Sequence, residues 1–203
     1  MTGTRDGDAP RIHPTALVEP GVRIGARTAV WDGVHLRGPS TIGHDCIIGE
    51  KTYIAYGVEI GNFVKINAMV YIPTGIMIED RVMIAAGVIF TNDRYPRAFD
   101  ELRAGLADSG PGEATLPGRV MTGATLGAAA VVGPGLTIGA YAMVGMGTVV
   151  TADVPPHALF IGNPGRIGGW VCTCGRPVRP GASQGALRCW RCAGADRAVA
   201  LHD

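Results

Sequence analysis

The chain has 203 residues, a length that suits one domain with a small appendage. Hydrophobic residues make up 47% of the sequence but aromatic residues only 6%, so we expect a narrow core of branched aliphatic side chains. The formal net charge of +1 argues against an extended nucleic-acid-binding surface, which would need a basic excess.

Residues 1–10 are polar, and we interpret them as a flexible lead-in. This segment lacks the apolar stretch of a signal peptide. No apolar run elsewhere approaches the roughly 20 residues that span a bilayer. We therefore expect a cytoplasmic protein that does not insert into a membrane.

A six-residue period dominates the sequence that follows. Every sixth residue from Ile12 to Phe90 is apolar, and the same frame resumes from Val120 to Val150. Such a period matches neither a helix, with 3.6 residues per turn, nor an alternating strand. Small residues are common four places later, and glycine often follows the apolar residue directly, where the backbone must turn without a Cβ clash. Together these features indicate the hexapeptide repeat of a parallel β-helix, predicted for residues 11–169.

The period breaks at residues 91–119, which are polar and include Asn92 and Arg97. The frame is unchanged on the far side, because Phe90 and Val120 are separated by a multiple of six residues. We therefore predict a loop extruded from one corner of the β-helix. Long loops on compact scaffolds are usually functional or disordered, and the dense polar cluster favours function.

The sequence changes character near its end. Turn-forming residues at 153–156 and 162–166 close the β-helix, and the tail, residues 170–203, holds four of the five cysteines. Four thiolates in two close pairs can surround a zinc ion tetrahedrally, so we predict a zinc-ribbon-like tail. The first pair has one intervening residue where zinc knuckles usually have two, and free thiols remain an alternative; disulfides are less favoured in a reducing cytoplasm. The predicted ligands are Cys172, Cys174, Cys189 and Cys192.

Seven short segments stand in an informative order and spacing, namely 30–35 (VWDGVH), 62–67 (NFVKIN), 78–80 (IED), 90–92 (FTN), 96–97 (PR), 162–164 (GNP) and 167–172 (IGGWVC). This arrangement resembles the N-acetyltransferases that act on nucleotide-linked 3-amino sugars, a subfamily of the hexapeptide-repeat acyltransferases. The subfamily includes the UDP-2-acetamido-3-amino-2,3-dideoxyglucuronate enzymes of bacterial surface-polysaccharide pathways. The resemblance covers roughly residues 11–175.

The resemblance implies a left-handed β-helix in which three hexads form one triangular coil. It also implies transfer of an acetyl group from acetyl-CoA to a sugar amine, in clefts between the subunits of a homotrimer. The acceptor's nucleotide is UDP or dTDP, since no motif in the sequence distinguishes the bases.

Two residues match positions at the family's reacting centre. Asn92 matches an asparagine there, and its amide can accept a hydrogen bond from the amine and orient it, because a neutral amine needs positioning more than a strong base. The alternative is that Asn92 only tolerates an awkward turn. His35 matches a histidine that could accept a proton or hold the sugar, although it could equally cap a turn. Asp32 replaces a histidine common in the subfamily, which leaves the sugar's identity open.

Three further residues are candidates for binding the acceptor. Arg97 suits a diphosphate or a sugar carboxylate, because guanidinium forms paired hydrogen bonds to such oxygens; the alternative is a solvated loop arginine. Lys65 and Asn67 could face the acceptor from an adjoining coil, or they are simply exposed turn and stacking residues.

The resemblance also implies where acetyl-CoA binds. Its pantetheine arm is expected along the later coils, bonded to backbone groups near Gly127 and Gly145. Arg166 is placed to meet a phosphate at the end of the β-helix. The alternative for this segment is that it only terminates the repeat.

Other functions compete with amine acetylation. O-acetylation of a sugar hydroxyl, or transfer of a longer acyl chain, is the nearest alternative. Relatives that acylate hydroxyls often use a loop histidine as base, however, and no histidine lies between His44 and His157. The same gap argues against a β-helical carbonic anhydrase, which needs three histidines on a metal. A third alternative is a non-enzymatic scaffold whose cysteine tail binds a partner.

Overall fold

The structure is a computed structural model that describes residues 8–108, 110–112, 114–178 and 189–193. Residues 1–7 of the predicted lead-in, and residues 179–188 and 194–203 of the predicted tail, lie outside the described residues. In the part of the chain that the structure describes, no helix is long and apolar enough to cross a membrane.

Short strands make up nearly all of the described secondary structure, most of them only two residues long. In chain order the elements are β1 (Arg11–Ile12), β2 (Leu17–Val18), β3 (Val22–Ile24), β4 (Ala29–Val30), β5 (His35–Leu36), β6 (Ser40–Ile42), β7 (Ile47–Ile48), β8 (Tyr53–Ile54), β9 (Glu59–Ile60), β10 (Lys65–Ile66), β11 (Tyr71–Ile72), β12 (Ile76–Ile78), β13 (Met83–Ile84), β14 (Ile89–Phe90), β15 (Phe99–Asp100), β16 (Gly105–Leu106), β17 (Gly118–Val120), β18 (Thr125–Leu126), β19 (Val131–Val132), β20 (Thr137–Ile138), β21 (Met143–Val144), β22 (Val149–Val150), β23 (Ala158–Gly162), β24 (Gly165–Trp170) and α1 (Trp190–Ala193).

The chain winds through three flat faces. The first face has the strand order β1-β4-β7-β10-β13-β18-β21-β23-β24, the second β2-β5-β8-β11-β14-β19-β22, and the third β3-β6-β9-β12-β17-β20. Pairing from coil to coil is parallel and, except across the extruded loop and at the last coil, joins residues eighteen apart, as Arg11 with Ala29 and Lys65 with Met83. Three hexads therefore form one coil, and the predicted all-β parallel β-helix of hexapeptide repeats is confirmed.

The interior is filled by two sets of side chains, namely the inward residue of each strand, such as Ile66, and the residue two places before it, such as Val64. In β10, Lys65 is exposed while Ile66 is fully buried, and Ile66 lies in register with Ile48 and Ile84 of the neighbouring coils. Burying each such side chain contributes about 1.5–3 kcal/mol to stability. Because a coil contacts only its neighbours, stacking makes this core continuous.

Glycine follows many of the core residues. From the sequence, these glycines are expected to permit the turn, but the structure shows a different reason for them. A Cβ on Gly127 would lie 2.4 Å from Met146 N in the next coil. A Cβ on Gly43 would likewise lie 2.4 Å from the carbonyl oxygen of Gly61. The left-handed backbone angles fall two residues later, often on a larger residue such as Ala129 (φ 57°). These glycines therefore permit close stacking of coils rather than the turn itself.

The predicted loop leaves the β-helix after β14 and returns at β17, which begins at Gly118, slightly before the predicted loop end at residue 119. Here β12 pairs directly with β17, so the loop is inserted ahead of a third-face strand. It contains the antiparallel hairpin β15–β16, and a bridge between Asp93 and Thr115 closes its base. The extruded loop is therefore confirmed.

The β-helix ends in an antiparallel hairpin. β23 pairs with β21 on the first face, and β24 returns alongside β23 as far as Trp170. The chain then folds back on itself, with a bridge between Val171 and Pro177. This fold-back carries the first two cysteines of the tail.

Candidate functional site

Asn92 lies at the corner between the second and third faces, where the extruded loop begins. Its Nδ2 donates a hydrogen bond to the carbonyl of Thr74 at 3.0 Å. Its backbone carbonyl accepts a hydrogen bond from Leu116 N–H at 2.7 Å, on the returning side of the loop. The amide Oδ1 has no hydrogen-bond partner among the described residues. The coil below therefore fixes the side chain and leaves one acceptor available.

Arg97 follows in the same loop and is exposed. Its Nη1 donates to the adjacent Pro96 carbonyl at 3.0 Å, and no carboxylate of the described residues pairs with it. The neighbouring acid, Asp93, instead accepts a hydrogen bond from Tyr95 N–H at 2.8 Å. Arg97 thus carries a positive charge, at the edge of the loop, that is available to an anion.

His35 lies on the second face, where its side chain is hydrogen-bonded to a carboxylate. Its Nε2 donates to Glu19 Oε1 at 2.9 Å, and its ring meets Tyr53 edge-on at 5.4 Å. Glu19 also accepts hydrogen bonds from Arg37 Nε and Gly38 N–H. The hydrogen bond from His35 is the main cause of the lowered pKa of Glu19, which burial partly opposes. His35 is therefore part of an ordered ion-pair network.

A single chain does not bring His35 and Asn92 together. His35 belongs to β5 and Asn92 follows β14, and β8 and β11 lie between them on the second face. At about 4.8 Å between neighbouring strands, the two residues are separated by roughly 14 Å along the axis.

A column of mostly small residues runs along the corner between the first and second faces, and we refer to this column as the groove. The register places Asn67, Ala85, Gly127 and Gly145 one above another on successive coils. A cavity opens at its lower end, lined by Trp31, Ile47, Gly49, Glu50, Ile66, Asn67, Ala68 and Ala86. Three of the predicted residues therefore line up along this corner, namely Asn67, Gly127 and Gly145.

Asn67 is held at this corner by its backbone. Thr52 Oγ1 donates to the Asn67 carbonyl at 3.0 Å, and the Asn67 N–H donates to Ile84 O at 2.8 Å. Lys65 stands two residues earlier on the first face, exposed to solvent. It borders the groove but is not one of the residues that line its cavity.

Arg166 lies on β24, in the hairpin that bounds the upper end of the groove. It stands opposite Ile161 in the hairpin, and its Nη1 donates to the carbonyl of Gly165 at 2.7 Å. The side chain of Ile161 lies against Gly145, where an added Cβ would be 2.8 Å from Ile161 Cγ2. The hairpin thus places Arg166 near the last glycine of the groove.

The two parts of the predicted site occupy different corners. Asn92 and Arg97 belong to the corner between the second and third faces, whereas Asn67, Gly127 and Gly145 belong to the corner between the first and second. The width of the second face separates them. One copy of the chain therefore does not assemble a site from both parts.

The four predicted metal ligands converge in the tail. Their Sγ atoms all lie within 4.8 Å of one another, and Cys174 Sγ and Cys189 Sγ are 3.4 Å apart. Cys172 and Cys189 are buried. Burial raises the pKa of Cys172, but hydrogen bonds from backbone N–H groups outweigh it and lower the pKa to about 6. This donor set fits tetrahedral zinc.

Several residues of these features were not predicted from the sequence. Trp31 and Glu50 line the cavity beside Asn67, and Glu19 anchors His35. Some of these contacts could have been predicted, because residues eighteen apart lie side by side on neighbouring coils. Glu19 and Arg37 are eighteen residues apart and form an ion pair. Alignment of the sequence by coils, rather than by hexads, would have revealed such columns.

Two family models match parts of the chain. The model described as bacterial transferase hexapeptide (six repeats) matches residues 21–56. The hexapeptide repeat of succinyl-transferase matches residues 39–74 and 122–152. The hexapeptide repeat is thus recognised on both sides of the extruded loop.

Relatives of known activity also match only part of the chain. A dTDP-3-amino-3,6-dideoxy-alpha-D-galactopyranose 3-N-acetyltransferase of Aneurinibacillus thermoaerophilus is 39% identical over 70 residues, which cover 34% of this chain and 36% of the relative. An acyl-[acyl-carrier-protein]--UDP-N-acetylglucosamine O-acyltransferase of Brucella ovis is 38% identical over 55 residues, which cover 27% of this chain and 20% of the relative. The matches therefore span about a third or less of these relatives' lengths.

A solved structure shares the fold. A variant of AntD, an N-acyltransferase from Bacillus cereus in complex with dTDP and coenzyme A, has a TM-score of 0.55 and 16% identity to this chain. The alignment covers 80% of this chain and 83% of AntD. At this identity, the similarity supports the β-helix fold alone.

Proposed function

We propose that the protein transfers an acetyl group from acetyl-CoA to the amino group of a nucleotide-linked 3-amino sugar, with UDP or dTDP as the nucleotide. The observation that carries the proposal is the fixed amide of Asn92, whose Nδ2 is bonded to Thr74 while Oδ1 is left as an acceptor at the base of the extruded loop. The match to a 3-amino-sugar N-acetyltransferase supports the same substrate class.

The proposed chemistry relies on positioning. Asn92 Oδ1 accepts a hydrogen bond from the neutral sugar amine and directs its lone pair at the thioester carbonyl. The new C–N bond forms a tetrahedral intermediate, whose oxyanion backbone N–H groups stabilise. The C–S bond then breaks, and the proton lost by the amine neutralises the departing CoA thiolate. No strongly basic side chain is required.

Acceptor and donor bind to different parts of the chain in this proposal. Arg97 pairs with the diphosphate or a sugar carboxylate, because its guanidinium is exposed and has no carboxylate partner in the described region. The groove takes the pantetheine arm along Gly127 and Gly145, and Arg166 takes a phosphate of CoA. Asn67, which the sequence assigned to the acceptor, stands in the same column as these glycines, so we reassign it to the donor. Lys65 borders the groove and adds positive charge.

A homotrimer completes the site in this proposal. Donor and acceptor parts lie on different corners of one chain, so a second copy must bring the Asn92 loop to the groove. The second face suits such packing, since its exposed side chains include Leu17, Tyr71 and Ile89, whereas the third face carries Arg23, Glu59 and Arg119. Closed threefold symmetry would create three equivalent sites.

The role proposed for His35 is to order the neighbouring network rather than to act as a base. Its Nε2 is bonded to Glu19, and it lies three coils away from Asn92 on the same chain. A partner copy could place it near the sugar, where it would hold a hydroxyl. The four cysteines hold a structural zinc ion outside this chemistry, and the protein acts in the cytoplasm.

O-acylation of a sugar is the second candidate, favoured by the match to the Brucella ovis O-acyltransferase. A hydroxyl is a weaker nucleophile than an amine and requires a general base. That mechanism predicts a rate that falls with protonation of a histidine. A longer acyl donor is compatible with either acceptor, and a non-enzymatic scaffold would bind no acetyl-CoA.

The test is release of CoA thiol from acetyl-CoA with UDP- and dTDP-linked 3-amino and 4-amino sugars. We expect release with a 3-amino sugar, reduced by about 10²-fold or more in Asn92→Ala, on the scale of losing one orienting hydrogen bond at a reacting centre. Asp93→Asn, in the same loop, is the matched control and should retain most activity. Unchanged turnover in Asn92→Ala would contradict the role of Asn92.

The shared site has its own test. Asn92→Ala and Arg166→Glu each remove one part of the site, and mixed trimers of the two inactive variants would contain some intact sites. Recovery of activity after the two variants are unfolded and refolded together supports a site between copies. Failure of a correctly assembled mixture to recover activity would contradict it.

A further inference from the structure

The segment after β24 folds back against the last coil through backbone hydrogen bonds. Val171 N–H donates to His157 O at 2.8 Å, and Val178 N–H donates to Trp170 O at 3.0 Å. Within the fold-back, Cys172 N–H donates to Arg176 O at 2.8 Å. These contacts place the first cysteine pair beside the end of the β-helix.

The second cysteine pair reaches this fold-back from a separate segment. Cys189 precedes α1 and Cys192 lies within it, and both Sγ atoms come within 4.8 Å of those of Cys172 and Cys174. Zinc–sulfur bonds of about 2.3 Å in a tetrahedron place sulfur atoms about 3.8 Å apart. The observed spacing is therefore that of ligands around one ion. The remaining cysteine, Cys46, is buried in the β-helix core.

We propose that a zinc ion bound by these four thiolates acts as a clasp, which locks the C-terminal hairpin and fold-back onto the last coil. The connection from the metal site to the coil is direct. Cys172 follows Val171, which is fully buried and bonded to His157, and Gly175 lies against Met143 of the first face. The ion joins segments fifteen or more residues apart in sequence.

The clasp has a consequence for the groove between the first and second faces. The hairpin that it secures carries Ile161, whose side chain bounds the groove at Gly145, and it carries Arg166 as well. The zinc ion therefore fixes the upper wall of the groove without contacting anything bound there. This role goes beyond acetyl transfer and does not depend on it.

Metal content of the full-length protein is the first test. Purified under reducing conditions from zinc-supplemented medium, the wild type should contain about one zinc ion per chain. Cys174→Ser and Cys192→Ser should each lose most of it. Cys46→Ser is the matched control, since it removes a thiol outside the cluster, and it should keep the zinc. Absence of zinc from the wild type, or a Cys174–Cys189 disulfide under these conditions, would overturn the proposal.

Hydrogen exchange then separates a clasp from an incidental metal site. After removal of zinc by a chelator, the amides of Val171 and Val178 should exchange at least tenfold faster, while the amides of Lys65 and Met83 in the central coils should not change. Restoring zinc should restore protection. Zinc loss that leaves Val171 and Val178 protected would show that the ion is bound without holding the fold-back in place.

Discussion

Thr52→Val and Thr148→Val make the same substitution at equivalent inward positions, and we expect different results. Both residues immediately precede a second-face strand, and both are buried. Valine occupies the same position at Val70 and Val88, where it is fully buried, so the interior has room for its side chain. The variants therefore differ in hydrogen bonding rather than in volume.

The hydrogen bonds of the two hydroxyls set the expected magnitudes. Thr52 Oγ1 donates to Asn67 O at 3.0 Å and accepts from Val70 N–H at 3.3 Å. Its loss leaves the buried Val70 N–H and the partly buried Asn67 carbonyl without this partner, and it should lower the free energy of unfolding by about 1–3 kcal/mol. Thr148 Oγ1 is buried with no partner in the described structure. Valine there should be neutral or stabilise by up to about 1–2 kcal/mol.

Guanidinium unfolding at one fixed protein concentration measures the difference. Equal slopes of the free energy against denaturant would show that the variants unfold the same surface, so that the midpoints report stability. A Thr148→Val variant as unstable as Thr52→Val would refute the reasoning, as would a neutral Thr52→Val.

Three further predictions concern charge, packing and the acceptor. The bidentate hydrogen bonds from Arg27 lower the pKa of Asp45 from 3.8 to about 2, so its carboxylate stabilises the fold above about pH 4. This stabilisation is lost as the pH falls towards 2. The melting temperature of an Asp45→Asn variant should therefore fall less over that range than that of the wild type. The same fall in both proteins would contradict this role of Asp45. Gly127→Ala places a Cβ 2.4 Å from Met146 N and should lower the free energy of unfolding by about 1–3 kcal/mol. Gly112→Ala, where nothing lies within 4 Å of the added Cβ, is the control and should leave the stability unchanged. Equal melting temperatures of the two variants would count against close coil stacking. Arg97→Lys should raise KM for the nucleotide sugar more than it lowers kcat, because an ammonium cannot form the paired hydrogen bonds, and an unchanged KM would remove Arg97 from the acceptor site.

The sequence predicted the repeat well because a single physical requirement recurs at every sixth residue. Ile48, Ile66 and Ile84 must all fill the same narrow interior, so their spacing is visible without the structure. The same reasoning located the extruded loop, since polar residues there cannot enter the core. The cysteine cluster was also predictable, because its four ligands stand in two close pairs.

The face on which each residue lies was harder to predict from the sequence. Counted in steps of eighteen from Ile12, Val120 would share the first face, yet it pairs with Ile78 on the third. Ile78 and Val120 are forty-two residues apart rather than eighteen, and the loop's length keeps the six-residue frame while changing the face. The separation of Asn92 from Gly127 therefore follows from an insertion that a period of six does not reveal.

The role of individual polar residues was the least accessible of all. His35 matches a functional histidine by position, but its bond to Glu19 depends on a contact between neighbouring coils. Asn92 Oδ1 has no partner in the described part of the chain, and this likewise follows from the bond of Nδ2 to the carbonyl of Thr74, one coil away. Residue type gives the chemistry that a side chain can perform, whereas the neighbouring coil determines which atoms remain available for it.

The most direct test of the central claim compares an amine with a hydroxyl on the same sugar. Release of CoA thiol is measured with a nucleotide-linked 3-amino sugar and with its 3-hydroxy counterpart, with the nucleotide, the acetyl-CoA concentration and the pH held constant. We expect rapid release with the amine, little with the hydroxyl, and a product whose mass shows one added acetyl group. Faster acetylation of the hydroxyl, or acetyl-CoA that binds without turnover on any amine, would contradict it.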